Sequence, residues 1–178
     1  MGMQTDVLST HLNSSGQCYV GRTRLKGMLV VGTATAGTLN FWDTDTAPTV
    51  ATYGRSGDNI TITSTAHGLQ EGQQIGATFS VAGGSSATNG NYIIQDVPTA
   101  DTFVIYDINS GTIAGGTTCN YVVAASGNNS PWLTSFDTAA VTAGANVFFY
   151  NPPGEGLLCH VGIRATFSNM TGVTVFYG

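Results

Sequence analysis

A histidine and a glutamate four residues apart are the first candidates for chemistry in this sequence. His67 and Glu71 lie in the segment STAHGLQEGQQIG. On a helix, positions i and i+4 share one face, as metal-binding and acid–base pairs often do. Strand-like runs flank the segment, however, and Gly68 and Gly72 disfavour a helix between them. The sequence therefore predicts a strand–turn–strand in which Leu69 turns inward and the His67 ring hydrogen-bonds turn backbone, rather than a metal or catalytic site.

The other candidates for chemistry give weaker signals. Asp43 and Asp45 offer carboxylate oxygens that suit calcium, but no third acid follows at calcium-loop spacing, so a solvated strand end is favoured. No G-x-S-x-G, G-x-G-x-x-G or G-x-x-x-x-G-K-[ST] motif in a matching context occurs. We expect no catalytic residues, no cofactor and no metal, and the chain is not expected to be an enzyme.

The cysteines are three in number, Cys18, Cys119 and Cys159, with no CxxC or CxxxC spacing. This pattern argues against a disulfide framework or a zinc site and favours buried free thiols in a protein made in a reducing cytosol. Cys159 falls on an apolar strand face and is expected to be inert. Cys18 shares a strand face with Arg22 and Arg24, whose charges would lower its pKa.

Three cations at alternate positions, Arg22, Arg24 and Lys26, form the most informative charged group. On a strand they make a stripe about 13 Å long. Such a stripe suits two roles: a solvated edge that blocks sheet-to-sheet aggregation, or a docking site for an acidic partner surface. Glu155, in the turn PPGEGL, is a candidate partner for the stripe in a neighbouring copy of the chain.

The composition points to a protein covered by partners. Charged residues make up only 8% of the 178 residues, against roughly a quarter in an average soluble domain. A surface so poor in charge suits subunits in a large assembly. The net charge of −5 argues against nucleic acid as a partner, and no apolar run approaches the roughly 18 residues of a membrane span.

The elements that must position these residues are predicted to be strands. Apolar residues alternate along residues 157–167, which indicates one long half-buried strand. The run from Cys18 to Val31 behaves similarly, with Leu25, Leu29 and Val31 on one face and the three cations on the other. No amphipathic helix of useful length is present.

The middle of the chain differs from the rest in its sequence pattern and in its charge. Between Ser56 and Ser126, five short strand-like runs are separated by turn signals, and the borders YGRSGD and SGNNSP are typical of loops. This segment holds five acids and no Lys or Arg. We predict an all-β protein: a discontinuous, jelly-roll-like β-sandwich formed by residues 1–55 and 127–178, with a small acidic β-barrel-like module, residues 56–126, inserted in it.

The inserted segment resembles a small all-β module common in bacteriophage tail and other virion proteins. That module carries a T-x-x-H-G-L-x-x-G-D-x-V pattern, followed by N-G-x-Y-x-V and T-F-x-I strands. The corresponding segment here is TSTAHGLQEGQQIG, residues 63–76, with Gln73 at the position of the Asp and Ile75 near that of the Val. The resemblance covers about 50 residues and implies a structural unit.

The two flanking segments are similar to small virion-associated proteins of marine short-tailed phages. The shared pieces are R-x-R-x-K-G at residues 22–27, P-G-E-G at residues 153–156 and the run VTVFYG at residues 173–178. The resemblance implies a β-sandwich and a structural role on the particle.

These observations favour a non-enzymatic virion protein, made in the host bacterial cytoplasm. We expect a capsid decoration or cement protein that docks through low-charge β surfaces. Its expected partners are itself, as a homo-oligomer with a trimer favoured, and a major capsid or tail protein, with no nucleic acid and no membrane. The alternatives are a tail or fibre component, and a carbohydrate-binding module in which Trp42, Trp132 and residues 148–150 stack on a host glycan.

Overall fold

The chain forms two compact units in a computed structural model that describes residues 7–80, 87–127, 130–138 and 147–178. Met1–Ala47 and Leu133–Gly178 form one unit, which we call the discontinuous unit. Pro48–Trp132 form the other, which we call the inserted unit. All regular elements of the described ranges are β-strands, so the predicted all-β class is confirmed.

The strands are numbered in chain order. Those before and within the inserted unit are β1 Leu8–Leu12, β2 Gly16–Val20, β3 Thr23–Gly32, β4 Gly37–Trp42, β5 Thr49–Thr63, β6 Gln74–Phe79, β7 Gly90–Thr99 and β8 Thr102–Val123. Those that follow are β9 Trp132–Thr138, β10 Val147–Tyr150, β11 Leu157–Cys159, β12 Gly162–Phe167 and β13 Met170–Tyr177.

The discontinuous unit is a sandwich of two antiparallel sheets. The first sheet has the order β1-β13-β3-β10, with β11 also paired to β3, and the second has the order β2-β12-β4-β9. Inward side chains of both sheets share one hydrophobic core, in which Leu25, Met28 and Val175 of the first sheet join Phe41 and Ile163 of the second, all fully buried. Burial of each such side chain contributes about 1.5–3 kcal/mol.

Two predicted long strands are each broken in the structure, so those predictions are wrong. Residues 157–167 form β11 in the first sheet and β12 in the second. In the same way β2 lies in the second sheet and β3 in the first. The two breaks are neighbours, because the Gly21 N–H donates to the carbonyl oxygen of Val161 at 2.7 Å. The segment 157–167 keeps its apolar alternation across the break, since Cys159, Ile163 and Ala165 are all buried. Between β2 and β3 the alternation changes phase, since Cys18 and Leu25 are both buried.

The inserted unit is a single sheet with the order β5-β8-β6-β7, in which β7 also pairs with β8. The five predicted strand-like runs all lie in strands, but the last two belong to one strand of 22 residues, β8. The first part of β8 pairs with β5 and β7, and its last part pairs with β5 and β6. Phe103, Ile60 and Ile105 are fully buried in its core.

The Gly- and Ser-rich border YGRSGD lies within β5 rather than in a linker. Its residues accommodate two register shifts in the pairing of β5 with β8, one between Tyr53 and Arg55 and one between Gly57 and Asn59. Gly57 has a φ of 63°, which a bulge often requires. The Gly- and Ser-rich composition of this border therefore indicates a bulged strand and not a linker. Arg55, within it, belongs to the inserted unit.

Candidate docking face

Three of the four predicted docking residues come together beside the first sheet. Arg24 Nη2 lies 3.4 Å from Glu155 Oε2, and Lys26 Nζ donates to the carbonyl oxygen of Glu155 at 2.9 Å. Glu155 thus pairs within its own chain, although a neighbouring copy was expected. Arg22 is exposed in the β2–β3 connection and has no hydrogen bond or ion pair with the described residues.

The turn before β11 is built to lie against β3. Gly154 and Gly156 have φ values of 67° and 86°, in the left-handed region that favours glycine. A Cβ at Gly156 would collide with the carbonyl oxygen of Leu25. The absence of a side chain at this position lets the turn approach β3 and deliver Glu155 to Arg24 and Lys26.

A bulge in β3 changes which residues face outward. In the pairing with β13, Phe176 opposes Gly27 and Tyr177 opposes Leu25, which leaves Lys26 as the extra residue. Side-chain alternation shifts by one position there. Met28 and Val30 are consequently buried in the core. Leu29 and Val31, which the sequence predicted to face inward with Leu25, lie on the opposite, outer side and are only half-buried.

The outer side of the first sheet also carries an apolar surface that the sequence analysis did not identify. Val147 and Phe149 of β10 are each 61% exposed, and they pair with Val31 and Leu29 of β3. The Phe149 ring contacts Phe176 edge-on, with ring centroids 6.0 Å apart. It also lies over Gly27, where an added Cβ would be 3.4 Å from Phe149 Cζ.

We call this outer surface of the first sheet the β3 face. Its charged half consists of Arg24, Lys26 and Glu155, and its apolar half consists of Leu29, Val31, Val147, Phe149 and Phe176. A groove of about 280 Å³ joins the halves, because Lys26, Gly27, Phe149 and Phe176 all line it. Three of the four charged residues predicted from sequence, Arg24, Lys26 and Glu155, therefore form one end of a larger, mostly apolar face.

The aromatic run at residues 148–150 is divided by strand alternation. Phe148 and Tyr150 pack against the core of the sandwich, where Phe136 lies 4.7 Å from Tyr150 between ring centroids. Only Phe149 points outward. Trp42 is fully buried and donates its Nε1–H to Thr166 Oγ1 at 2.9 Å. These side chains do not form a shared stacking platform in the discontinuous unit.

The His67 segment joins strands β5 and β6 without a helix, as predicted, but it contains two turns rather than one. The Leu69 N–H donates to His67 Nδ1 at 3.0 Å, and the ring packs edge-on against Phe103. Leu69 is partly buried against the core of the inserted unit. Glu71 is exposed in the following turn, beside Gly72 with a φ of 79°. The accepting Nδ1 fixes the ring in the Nε2–H tautomer when it is neutral.

The Asp43 prediction was wrong, because this residue is buried rather than a solvated strand end. Its carboxylate accepts the backbone N–H groups of His160 at 2.6 Å, Val161 at 2.7 Å and Gly162 at 3.0 Å. Asp45 is exposed. The two side chains therefore have different environments, and Asp43 serves the crossing between β11 and β12.

All three cysteines are free and buried. Burial raises the pKa of Cys18 to about 12, although a backbone hydrogen bond at Ala165 and the charge of Arg164 act in the opposite direction. The expected lowering by Arg22 and Arg24 is thus wrong. Burial likewise raises the pKa of Cys119 and of Cys159 to about 12. These are thiols of low nucleophilicity at neutral pH.

Within the described ranges, no three His, Cys, Asp or Glu side chains are close enough together to hold a metal ion. No helix long and apolar enough to cross a membrane occurs in the part of the chain that the structure describes. Comparison with known proteins gave no family model, no curated protein and no solved structure that matches this chain. Functional inference therefore rests on the side chains themselves.

Proposed function

We propose that this chain is a non-enzymatic structural protein of a bacteriophage particle, and that it docks on the capsid as a decoration or cement protein. The observation that carries the proposal is the β3 face, which combines an exposed apolar half with a small charged half. Only 8% of the residues of this chain are charged, and three of these charged groups lie at one end of this face.

The apolar half supplies the binding energy in this proposal. Val147 and Phe149 expose most of their side chains, and Leu29 and Phe176 extend the same surface. Contiguous exposed apolar surface is typical of protein interaction sites. Each Å² of it that a partner covers contributes about 25 cal/mol before the costs of association. An aromatic side chain at the centre, here Phe149, is the type of residue that dominates such interfaces.

The charged half supplies orientation rather than affinity. The Arg24–Glu155 pair is open to solvent, with side chains 34% and 81% exposed. Exposed pairs of this kind contribute little to stability. At the rim of an interface, however, they select the partner and its approach. An acidic strip on the capsid, or on another copy in a homo-oligomer such as a trimer, is the complementary surface.

A cryo-EM map of the intact particle tests this function directly. As a decoration protein, the chain is expected on the outer capsid surface in hundreds of copies, with the β3 face turned towards its neighbours. A tail or fibre component would be present in a dozen copies or fewer, on the tail. Location on the tail would overturn the decoration role, and absence from the particle would overturn the virion assignment.

A matched pair of variants tests the face itself. Phe149→Ser removes the aromatic ring from the centre of the apolar half. Ile108→Ser removes another apolar side chain, 81% exposed, from the inserted unit. We expect Phe149→Ser to lower the affinity for particles that lack this protein by about tenfold or more, and Ile108→Ser to leave it unchanged. Equal affinities in a co-sedimentation assay would exclude the β3 face as the docking site.

A further inference from the structure

A concave surface on the discontinuous unit lies against the core at Tyr177 and shares Arg24 with the β3 face. We call it the Arg22 groove. It measures about 490 Å³ and is lined by Tyr19, Arg22, Thr23, Arg24, Leu158 and Tyr177, among others. Small-molecule sites typically measure about 300–1,000 Å³. The groove lies where the β2–β3 connection passes from one sheet to the other.

Two guanidinium groups line this groove, in a chain that has only five Lys and Arg residues. Arg22 is exposed and makes no hydrogen bond or ion pair with the described residues. Arg24 is held by Glu155 and, more weakly, by the carbonyl oxygen of Gly156 at 3.4 Å. The groove thus has one fixed and one available guanidinium, and a guanidinium fork matches a carboxylate through two parallel hydrogen bonds.

The other side of the groove is aromatic and hydroxylated. The rings of Tyr19 and Tyr177 lie 5.0 Å apart between centroids. Tyr177 Oη is engaged by Thr10 Oγ1 at 3.1 Å, whereas Tyr19 Oη has no hydrogen bond to the described residues. Tyr177 is only 8% exposed and belongs to the core. The Tyr19 phenol and the Thr23 hydroxyl are therefore the groups that offer hydrogen-bond donors, acceptors and ring surface to a ligand that carries several hydroxyl groups.

The backbone beneath the groove is not available to a peptide. β13 pairs with both β1 and β3, and the first residues of β3 pair with β11 as well. The carbonyl oxygen of Arg24 accepts the Gly178 N–H at 3.2 Å. A peptide could not add a strand here, so recognition must come from side chains. This favours a compact ligand over an extended acidic chain.

We propose that the Arg22 groove binds a carboxylate-bearing saccharide, such as a uronic acid unit of a glycan, with Arg22 closing on the carboxylate and Tyr19 contacting the sugar. This site goes beyond the docking role. It does not use Phe149 or the apolar half of the β3 face, so failure of either proposal leaves the other intact.

The test is calorimetric titration of the full chain with a glucuronic acid oligosaccharide, and with the glucose oligosaccharide of equal length and linkage as the neutral control. We expect binding of the acid form and at least tenfold weaker binding of the neutral form. Arg22→Ala should weaken binding of the acid at least tenfold, and Arg22→Lys should weaken it less, because charge remains but the fork is lost. Ile108→Ser, an exposed position in the inserted unit, should leave it unchanged.

Three outcomes would overturn this inference. One is equal binding of the acidic and neutral sugars, and another is an Arg22→Ala variant that binds like the parent while its unfolding midpoint is unchanged. The third is a glutamate oligopeptide of equal charge that binds as tightly as the sugar and depends on Arg22, since this would show recognition of acidic peptide instead. Because Arg22 is exposed, its replacement is not expected to disturb the fold.

Discussion

The Asp43 carboxylate accepts the backbone N–H of Val161 at 2.7 Å, at the point where the chain leaves one sheet of the sandwich for the other. The N–H groups on either side, of His160 and Gly162, donate to the same carboxylate. The buried Asp43 carboxylate therefore accepts three consecutive backbone N–H groups at the point where the chain passes between the two sheets. A chain can change sheets in a protein interior only if such groups are paired.

Replacement of Asp43 by Asn should destabilise the discontinuous unit strongly. The amide keeps one acceptor oxygen but places an NH₂ group against backbone donors, and the charge-assisted character of the bonds is lost. We expect the free energy of unfolding, measured by urea titration, to fall by about 3 kcal/mol. The control is Asp45→Asn at an exposed neighbouring position, which should change it by less than about 0.5 kcal/mol. Similar small changes in both variants would contradict this role.

The same crossing explains what the sequence could and could not predict about the fold. Apolar alternation at Cys159, Ile163 and Ala165 correctly identified the buried face, because these odd-numbered residues point into the core in both β11 and β12. Alternation carries no information about which sheet a strand joins, so the sequence predicted one strand where β11 and β12 are two. The partner that allows the break, Asp43, lies more than a hundred residues away in sequence.

The β3 face was predictable from the sequence only in part. The charges of Arg24 and Lys26 are visible in the sequence, and so is Glu155. The apolar half was not found, because the bulge at Lys26 inverts the phase of β3 and sends Leu29 and Val31 outward. A bulge of one residue leaves little signature in composition. The lone Gly27 after Lys26 was the available signal, since glycine within a strand often marks a bulge or a close approach.

The buried thiols predict a loss of stability at alkaline pH. The pKa of Cys119 is raised by burial from 9.0 to about 12, so the folded state keeps the proton that the unfolded state releases above pH 9. The contribution of this thiol to the free energy of unfolding is therefore fully present below pH 9, and it decreases as the pH rises towards 12. Between pH 8 and pH 10, titration of this one thiol should lower the free energy of unfolding by about 1.4 kcal/mol.

The comparison that isolates this effect is Cys119→Ala, measured by urea unfolding at the same two pH values. The variant should lose about 1.4 kcal/mol less than the parent between pH 8 and pH 10, whatever its stability at pH 8. Identical pH slopes would show that Cys119 titrates normally in the folded protein. Iodoacetamide at pH 8 should label the thiols of the unfolded chain but not those of the native one.

A buried ion pair should make the bulged part of the inserted unit sensitive to single substitutions. Arg55 Nη1 lies 3.4 Å from Asp107 Oδ2, and both side chains are almost completely buried. The Asp107 carboxylate also accepts the N–H groups of Thr88 and Asn109. Arg55→Met should lower the free energy of unfolding by about 3–5 kcal/mol, because it leaves a buried carboxylate without its cation.

The control for this pair is Asp96→Asn, which changes an exposed acid of the same unit and should cost less than about 0.5 kcal/mol. The double variant Arg55→Met, Asp107→Asn should be less destabilised than the sum of its single variants, because no unpaired charge remains. Additive losses in urea unfolding would show that the two groups do not interact.

The turn that carries Glu155 should be far more sensitive to a methyl group at Gly156 than at Gly154. Both glycines have a positive φ, so alanine at either position costs about 1 kcal/mol in backbone strain. Only at Gly156 would the Cβ also collide with the Leu25 carbonyl oxygen, since nothing lies within 4 Å of a Cβ at Gly154. Gly156→Ala should therefore lower the free energy of unfolding by about 3 kcal/mol and displace Glu155 from Arg24 and Lys26, as seen in a crystal structure of the variant. Equal costs for the two variants would mean that the turn does not rest on β3.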